Sequence, residues 1–199
     1  RFWFPCFDYP NEKASSEIVV KVPKGMTSLS NGKLLSKTAK GDFEIHHWRQ
    51  EIPHVAYLVT LVVGDYVKVN DEWDGLEVSY LVPPGREGDG KRSFSKTPKM
   101  VELFSRLAGV LYPYEKYSQI TAVDFIFGGM ENTTATTQTE LTLHDARASL
   151  DFSSESLVAH ELAHQWFGDY VTCRDWSHAW LNEGFATFME IIWYEHEHG

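Results

Sequence analysis

Two histidines stand four residues apart in the stretch 158-VAHELAHQWFGD-169, and a glutamate directly follows the first. On an α-helix this spacing is about one turn, so His160 and His164 would leave the same face and could bind one Zn²⁺ without bending the backbone. Glu161 lies too far round the helix to be a third ligand, but it can accept a proton from a water molecule at the metal. The pattern predicts a catalytic metal site on a helix that is central to its domain, because its other residues are almost all apolar.

A third ligand is needed, and Glu183 in 180-WLNEGFATFME-190 offers it from the start of a second helix. Two histidines on one helix and a glutamate on the next form the His₂Glu set of catalytic zinc sites, which leaves the fourth position for water. A non-enzymatic protein with a structural metal is the alternative, but structural zinc sites are usually closed by four ligands. We therefore expect one Zn²⁺ per chain. Asn182 and Asp169 could orient the ligands, or they could be a helix cap and a surface acid.

A second candidate site is 128-GGMEN-132, called the GGMEN segment below. Gly128 and Gly129 have no side chains, so the backbone could approach a peptide closely and pair with it as an added strand. Glu131 provides a carboxylate, the group that could hold a free α-ammonium at a fixed distance from a metal. By its spacing alone the segment would be an ordinary surface turn, so its functional interpretation depends on the metal site.

Together these motifs resemble the zinc aminopeptidases of the gluzincin class, the family of aminopeptidase N and leukotriene hydrolase. The resemblance rests on HELAHQWFGD followed by WLNEGFATF, on GGMEN, and on the opening segment 3-WFPCFDYPNEKA-14, so it covers nearly the whole chain. It implies hydrolysis of the amino-terminal peptide bond of peptides that have a free amino terminus. By this resemblance Glu161 is the general base, Glu131 binds the substrate amino group, and Met130 lines the first side-chain pocket. The implied site residues are His160, His164 and Glu183 for the metal, and Gly128, Gly129, Met130, Glu131 and Asn132 for the substrate.

Two related activities stay open at this point. A thermolysin-type zinc endopeptidase shares the metal ligands, although Glu131 argues against it. A bifunctional aminopeptidase and epoxide hydrolase is the other, because the residues that decide this activity in the family would lie beyond Gly199. The branch of the family also stays open. A glycine at the position of Gly129 occurs in the leukotriene hydrolase branch, whereas 165-QWFG-168 looks more like the broad aminopeptidases.

Two kinds of structure must position these residues. Runs rich in Val, Ile, Tyr and Leu predict a small antiparallel sheet or sandwich in the first part, with strands in 17–22, 43–48, 55–69 and 76–82. The charged, Pro/Gly-rich stretch 83–93 predicts a domain boundary. After it, apolar periodicity predicts helices at 98–112, 153–167 and 182–198 and strands at 119–127 and 133–143.

The fold class predicted from these elements is α+β. Residues 1–84 are expected to be the C-terminal part of an N-terminal antiparallel β-sandwich domain. Residues 85–199 are expected to be the first half of a thermolysin-like zinc peptidase domain. The resemblance also implies that the remaining domains of the parent chain complete the site.

Composition narrows the range of partners. The chain has 199 residues, of which 43% are apolar, and a net charge of -10, which indicates a globular protein and argues against nucleic-acid binding. It has no run of about 18 apolar residues, so no transmembrane segment is expected in this piece. Cys6 and Cys173 are expected to be free thiols in the packed interior, with a disulfide between them as the alternative. These features leave the compartment, the oligomeric state and the preferred first residue of the substrate open.

Overall fold

The computed structural model describes residues 3–199, and their first part consists of two small antiparallel sheets. The strands are β1 (Lys13–Pro23), β2 (Thr27–Ser30), β3 (Lys33–Lys40), β4 (Phe43–Val55) and β5 (Leu61–Gly64). One sheet has the order β1-β4-β3, and β2 pairs with β5 in the other. The run 55–69, predicted as strand throughout, is interrupted by a 3₁₀ turn at Ala56–Leu58 and by a bend at Asp65.

A five-stranded mixed sheet forms the second part. Its strands are β6 (Val67–Trp73), β7 (Leu76–Val82), β8 (Lys116–Ala122), β9 (Gly129–Met130) and β10 (Ala135–Thr139). They lie in the order β6-β7-β8-β10-β9. The three central strands β7, β8 and β10 are parallel, whereas β6 is antiparallel to β7 and β9 is antiparallel to β10. This sheet begins at Val67 and so extends across residues 84 and 85, where the sequence predicts a boundary. The division of the chain into domains there stays a prediction.

Helices cover this sheet. They are α1 (Glu87–Phe94), α2 (Thr97–Ala108), α3 (Glu155–Ala163) and α4 (Trp180–His198). The predicted boundary segment 83–93 therefore contains most of a helix, although its glycines indicate an open loop. One of these glycines, Gly90, has a packing role, because a Cβ there would lie 2.7 Å from a methyl group of Val82. Glycine at this position lets α1 pack closely on β7.

The helix that carries the two histidines ends earlier than predicted. α3 stops at Ala163 instead of Phe167, and the following residues form tight turns, in which the N–H of Gln165 donates to the carbonyl of Leu162. Gly168 then reverses the chain with a φ of 143°, a conformation that glycine adopts without strain. His164 consequently occupies the C-cap of α3 and not its interior.

The main core lies between the five-stranded sheet and the helices. α3 contributes four side chains that are at most 1% exposed, namely Val158, Ala159, Leu162 and Ala163, so this helix is central as predicted. A second cluster joins the small sheets to the large one and consists of Leu29, Trp48, Leu81, Ile120 and Ala135. The predicted α+β class is confirmed. Within residues 3–199 no helix combines the length and the apolar character needed to cross a membrane.

Candidate functional site

α3 and α4 bring the three predicted metal ligands together. The Nε2 atoms of His160 and His164 are 3.1 Å apart, and Oε2 of Glu183 lies 3.4 Å from the first and 3.5 Å from the second. Ligand atoms placed tetrahedrally at about 2.0–2.1 Å from one ion would be about 3.4 Å apart. The three side chains therefore fit a single zinc-sized ion. Hydrogen bonding to the two histidines holds the pKa of the Glu183 carboxyl well below its usual range, so this ligand is an anion.

Further groups hold the two imidazole rings from their other side. Nδ1 of His164 lies 3.0 Å from the carbonyl oxygen of Phe167. Because a carbonyl only accepts, Nδ1 carries a proton, and this tautomer leaves Nε2 for a metal. Nδ1 of His160 faces the carboxylate of Glu190 at 3.5 Å. The ring orientations are thus set by α4 and by the turn that follows α3.

Glu161 follows His160 on α3, and its carboxylate packs beside Gly129 of β9. It is 5% exposed, and a Cβ at Gly129 would overlap its carboxylate, so glycine makes room for this contact. Burial, together with the nearby charge of Glu131, raises the pKa of Glu161 to about 8. A carboxyl group with a pKa near neutrality is suited to proton transfer in both directions.

Glu131 directly follows β9, which is the edge strand of the large sheet in the part of the chain that the structure describes. The free side of an edge strand presents backbone groups with which an extended peptide can pair. Glu131 itself is 9% exposed, and its Oε1 accepts a hydrogen bond of 3.0 Å from the hydroxyl of Tyr57. The carboxylate predicted to hold an amine therefore lies at the end of a strand that could hold the peptide backbone.

The other residues of the GGMEN segment have different surroundings. Met130 is half-buried and lies opposite Thr137 of β10. Asn132 is buried, and its side chain is bound within the protein: Oδ1 accepts from the Thr137 hydroxyl at 3.1 Å, and Nδ2 donates to the Leu58 carbonyl at 3.4 Å. Asn132 thus anchors the segment to its neighbours, and its predicted contact with a substrate stays a prediction.

Gln165 is a supporting residue that the sequence motifs do not indicate. It is completely buried, and its Nε2 donates to the Glu131 carbonyl and to Oδ2 of Asp169, both at 3.1 Å. Its Oε1 accepts from the Tyr112 hydroxyl at 3.1 Å and from the N–H of Thr134 at 2.9 Å. This one side chain links the turn after α3 to the GGMEN segment. The signal available in the sequence was its place directly after His164 in a segment that is mostly apolar.

For Asp169 and Asn182 the sequence left two roles open, and for each residue the structure excludes one of them. Asp169 is completely buried, so it is not a surface acid, and burial followed by the charge of Glu131 raises its pKa well above the usual value. Asn182 lies inside α4 instead of capping it, and its Oδ1 accepts from the N–H of Cys173 at 3.1 Å. In residues 3–199 neither side chain hydrogen-bonds to a predicted ligand. Cys173 and Cys6 are free, as predicted, but only Cys173 lies in the packed interior, and Cys6 is partly exposed.

Thr134, two residues after the GGMEN segment, has a φ of 64°. This left-handed conformation is strained for a β-branched residue and persists only where the surroundings impose it. The Thr134 hydroxyl accepts from the N–H of Gly32 at 2.7 Å, and its carbonyl accepts from Lys116 Nζ at 2.8 Å and from the N–H of Ser118 at 3.0 Å. The turn between β2 and β3 and the start of β8 therefore fix the backbone beside the site.

Comparison with known proteins gives one consistent picture. Residues 92–199 match the Peptidase family M1 domain, and residues 1–58 match the Peptidase M1 N-terminal domain. Aminopeptidase M1 of Arabidopsis thaliana is 37% identical over 195 residues, which are 95% of this chain and 22% of that protein. Probable aminopeptidase 2 of Sulfurisphaera tokodaii is 37% identical over 95% of the chain and 25% of its own length. Puromycin-sensitive aminopeptidase of Caenorhabditis elegans is 34% identical over 96% of the chain and 21% of its own length. The chain thus spans a quarter or less of each of these relatives.

Proposed function

Because the chain belongs to peptidase family M1 through residues 92–199, we propose that its parent protein is a zinc-dependent aminopeptidase. The reaction is hydrolysis of the amino-terminal peptide bond of peptides with a free amino terminus. The observation that carries the proposal is the position of one carboxylate, Glu131, at the end of an edge strand beside the ligand triangle. The names of the relatives, all aminopeptidases, support the same activity.

One Zn²⁺ per chain is proposed, with His160, His164 and Glu183 as its ligands. The spacing of their ligand atoms, all within 4.8 Å of one another, supports this set. Bound there, the ion would supply a Lewis acid that polarises a carbonyl group and lowers the pKa of a water molecule toward about 7.

The remaining steps are assigned to side chains of the chain itself. Glu161 takes a proton from the attacking water and returns it to the nitrogen of the departing amine, for which its pKa near neutrality is suitable. Glu131 binds the substrate ammonium through a charge-assisted hydrogen bond. The backbone of Gly128 and Gly129 pairs with the substrate peptide, and Met130 contacts its first side chain.

Glu131 also separates this function from a thermolysin-type endopeptidase. A free amino terminus gives the buried carboxylate of Glu131 an ammonium partner, whereas an internal peptide bond brings no positive charge to it. Substrates with an acetylated amino terminus should therefore be poor. Epoxide hydrolysis has no residue in 3–199 that favours it.

The test uses the full-length parent protein with aminoacyl fluorogenic substrates, each in a free and an acetylated form. The proposal expects turnover of the free form, little or none of the acetylated form, loss of turnover with a chelator, and recovery with Zn²⁺. Metal analysis should give about one zinc per chain in the wild type and much less in His164→Ala. Equal turnover of both substrate forms would favour an endopeptidase, and full metal content in His164→Ala would contradict the ligand set.

A further inference from the structure

Tyr57 contacts the predicted amine-binding carboxylate from outside every motif of the site. It lies in the 3₁₀ turn Ala56–Leu58 that follows β4, and its hydroxyl donates to Oε1 of Glu131 at 3.0 Å. The two residues are 74 positions apart in the chain. The contact therefore connects the small sheets of the first part to the GGMEN segment.

The geometry of this bond leaves the carboxylate able to bind an amine. An ionised carboxylate accepts at both of its oxygens, so a donor at Oε1 leaves Oε2 for a substrate ammonium. The phenol is a firm donor, because burial, together with the charge of Glu131, raises the pKa of Tyr57 far above its ordinary value. The phenol therefore stays protonated and donates its hydrogen to Oε1, and it adds no second negative charge beside Glu131.

Tyr57 is itself held on more than one side. Its ring packs edge-on against that of Trp176 with centroids 5.0 Å apart, and Trp176 belongs to the turn that precedes α4. The carbonyl of the next residue, Leu58, accepts from Asn31 at 3.0 Å and from Asn132 of the GGMEN segment at 3.4 Å. The hydroxyl thus has a fixed position relative to both the amine-binding residue and the helix of the third ligand.

Asn31 extends the same connection. Its Nδ2 also donates to the carbonyl of Thr133 at 2.7 Å, and its Oδ1 accepts from the N–H of Thr60 at 2.8 Å. The backbone that follows Tyr57, at Leu58 and Thr60, is therefore bound to the same side chain that holds Thr133. Tyr57 and Glu131 cannot move apart unless these buried bonds break as well.

We propose that Tyr57 is a positioning residue for amine recognition, which fixes the carboxylate of Glu131 in the orientation that binds a substrate ammonium. The small sheets of the first part thereby take part in selecting substrates with a free amino terminus. This inference rests on the proposed function of Glu131, but it concerns a residue to which that function assigns no role.

The test is a double-mutant cycle in the full-length parent protein, with Tyr57→Phe, Glu131→Ala and the combination of both. Tyr57→Phe removes one hydrogen bond to a charged group and should raise KM for free-amine substrates about threefold to tenfold, with kcat within about twofold. In the Glu131→Ala background the same substitution should change KM very little, because the carboxylate that it positions is gone.

A second readout uses two matched probes, leucine hydroxamate and its des-amino analogue 4-methylpentanoyl hydroxamate, whose dissociation constants are measured by calorimetry. Tyr57→Phe should weaken the amino probe about threefold to tenfold and leave the des-amino probe unchanged. Tyr80→Phe is the matched control, because its hydroxyl donates to the carboxylate of Asp71 at 2.6 Å and does not contact the site. It should leave the ratio of the two constants as in the wild type.

The outcomes separate this inference from the proposed function. If the wild type does not distinguish the two probes, the proposed function is wrong and the role of Tyr57 is wrong with it. If the wild type distinguishes them and Tyr57→Phe does so equally well, only the role of Tyr57 is overturned. Equal weakening of both probes would likewise overturn it, because that result indicates a general structural effect.

Discussion

Glu161 and Glu131 are two carboxylates of one site whose surroundings push them toward different roles. Glu161 is buried beside Gly129, and its pKa of about 8 lets it exchange a proton near neutral pH. Glu131 instead accepts a hydrogen bond of 3.0 Å from the hydroxyl of Tyr57 at one of its oxygens. Two neighbouring carboxylates in different surroundings are a common way to provide two different roles in one site.

Glu161→Gln in the parent protein should retain zinc and lose turnover. The amide keeps the shape of the side chain but cannot accept the proton, and losing a positioned general base typically lowers kcat by about 10²–10⁴-fold. Stopped assays on an alanyl or leucyl substrate and metal analysis provide the two measurements. Glu102→Gln, an exposed position on α2, is the control. Near-normal kcat in Glu161→Gln would mean that another group is the base.

His54 should make the stability of the fold depend on pH. It is 2% exposed, its Nε2 lies 2.8 Å from the Ser16 hydroxyl, and burial followed by the charge of Lys13 lowers its pKa from 6.5 to about 4. Between these two values the unfolded chain binds more protons than the folded one. The contribution of His54 is therefore complete above pH 6.5 and is lost as the pH falls toward 4.

Urea denaturation between pH 7 and pH 4 measures this effect. The free energy of unfolding should decrease by roughly 3 kcal/mol through His54 over that interval. His54→Gln keeps a polar group near Ser16 but does not titrate, so its curve should be flatter by about the same amount. Parallel curves for the two proteins would show that His54 does not cause the dependence.

The sequence could predict the residues of the site whose chemistry lies in short motifs. His160, Glu161 and His164 share one helical turn, and Glu183 follows in the next helix. It could not predict the residues that hold Glu131, because Tyr57 and Gln165 are 74 and 34 positions away from it. Such contacts depend on how the sheets and the turn after α3 meet in three dimensions.

At the level of elements, most helices and strands could be predicted from the sequence, but the pairing of the strands could not. Apolar periodicity placed α2, α3 and α4 within a few residues of their observed bounds. Nothing in β7 indicates that it pairs with β8 in parallel across an interval that contains two helices. The glycines of α1 have the composition of a loop, and the sequence does not show that Gly90 packs closely on Val82.

The turn after α3 sets the position of His164 through Gly168. A Cβ at Gly168 would lie 3.0 Å from Nδ1 of His164, and the φ of 143° disfavours any other residue. Gly168→Ala should therefore displace the imidazole and weaken zinc binding by the parent protein about tenfold, as measured by chelator competition. Gly184→Ala, next to Glu183 but with open space around it, is the matched control and should bind zinc normally. Equal affinities in both variants would mean that the turn tolerates a side chain.

For the whole molecule, the outer face of α4 is the most conspicuous surface. Phe185, Phe188 and Ile191 are 47%, 57% and 59% exposed. Met189 and Trp193 also lie on this helix, but they are buried against the core of residues 3–199 and need no further cover. The curated relatives are about four times longer than the chain, and a parent of similar length would have residues to pack on the exposed face.

Residues 1–199 expressed alone should self-associate and be a poor peptidase. Exposed apolar side chains in contiguous patches promote association. The resemblance implies that further domains complete the site, and the loss of one group that stabilises a transition state typically lowers kcat by about 10²–10³-fold. Light scattering and kcat/KM on a leucyl substrate, compared with the parent, provide the measurements. Replacing Phe185, Phe188 and Ile191 with serine should restore a monomer without restoring activity. A monomeric wild-type piece with the activity of the parent would contradict this expectation.

The order of strands in the large sheet also determines when the site can form during translation. β9 is made before β10, yet β10 is its only partner in the described sheet and lies between β9 and β8. The edge that β9 forms is therefore absent until residue 139 has left the ribosome, and Glu183 emerges 44 residues later. Since domains form as their residues emerge, the strand that would hold a peptide is assembled before the metal site. The order of synthesis therefore places the completion of this edge before the completion of the ligand set.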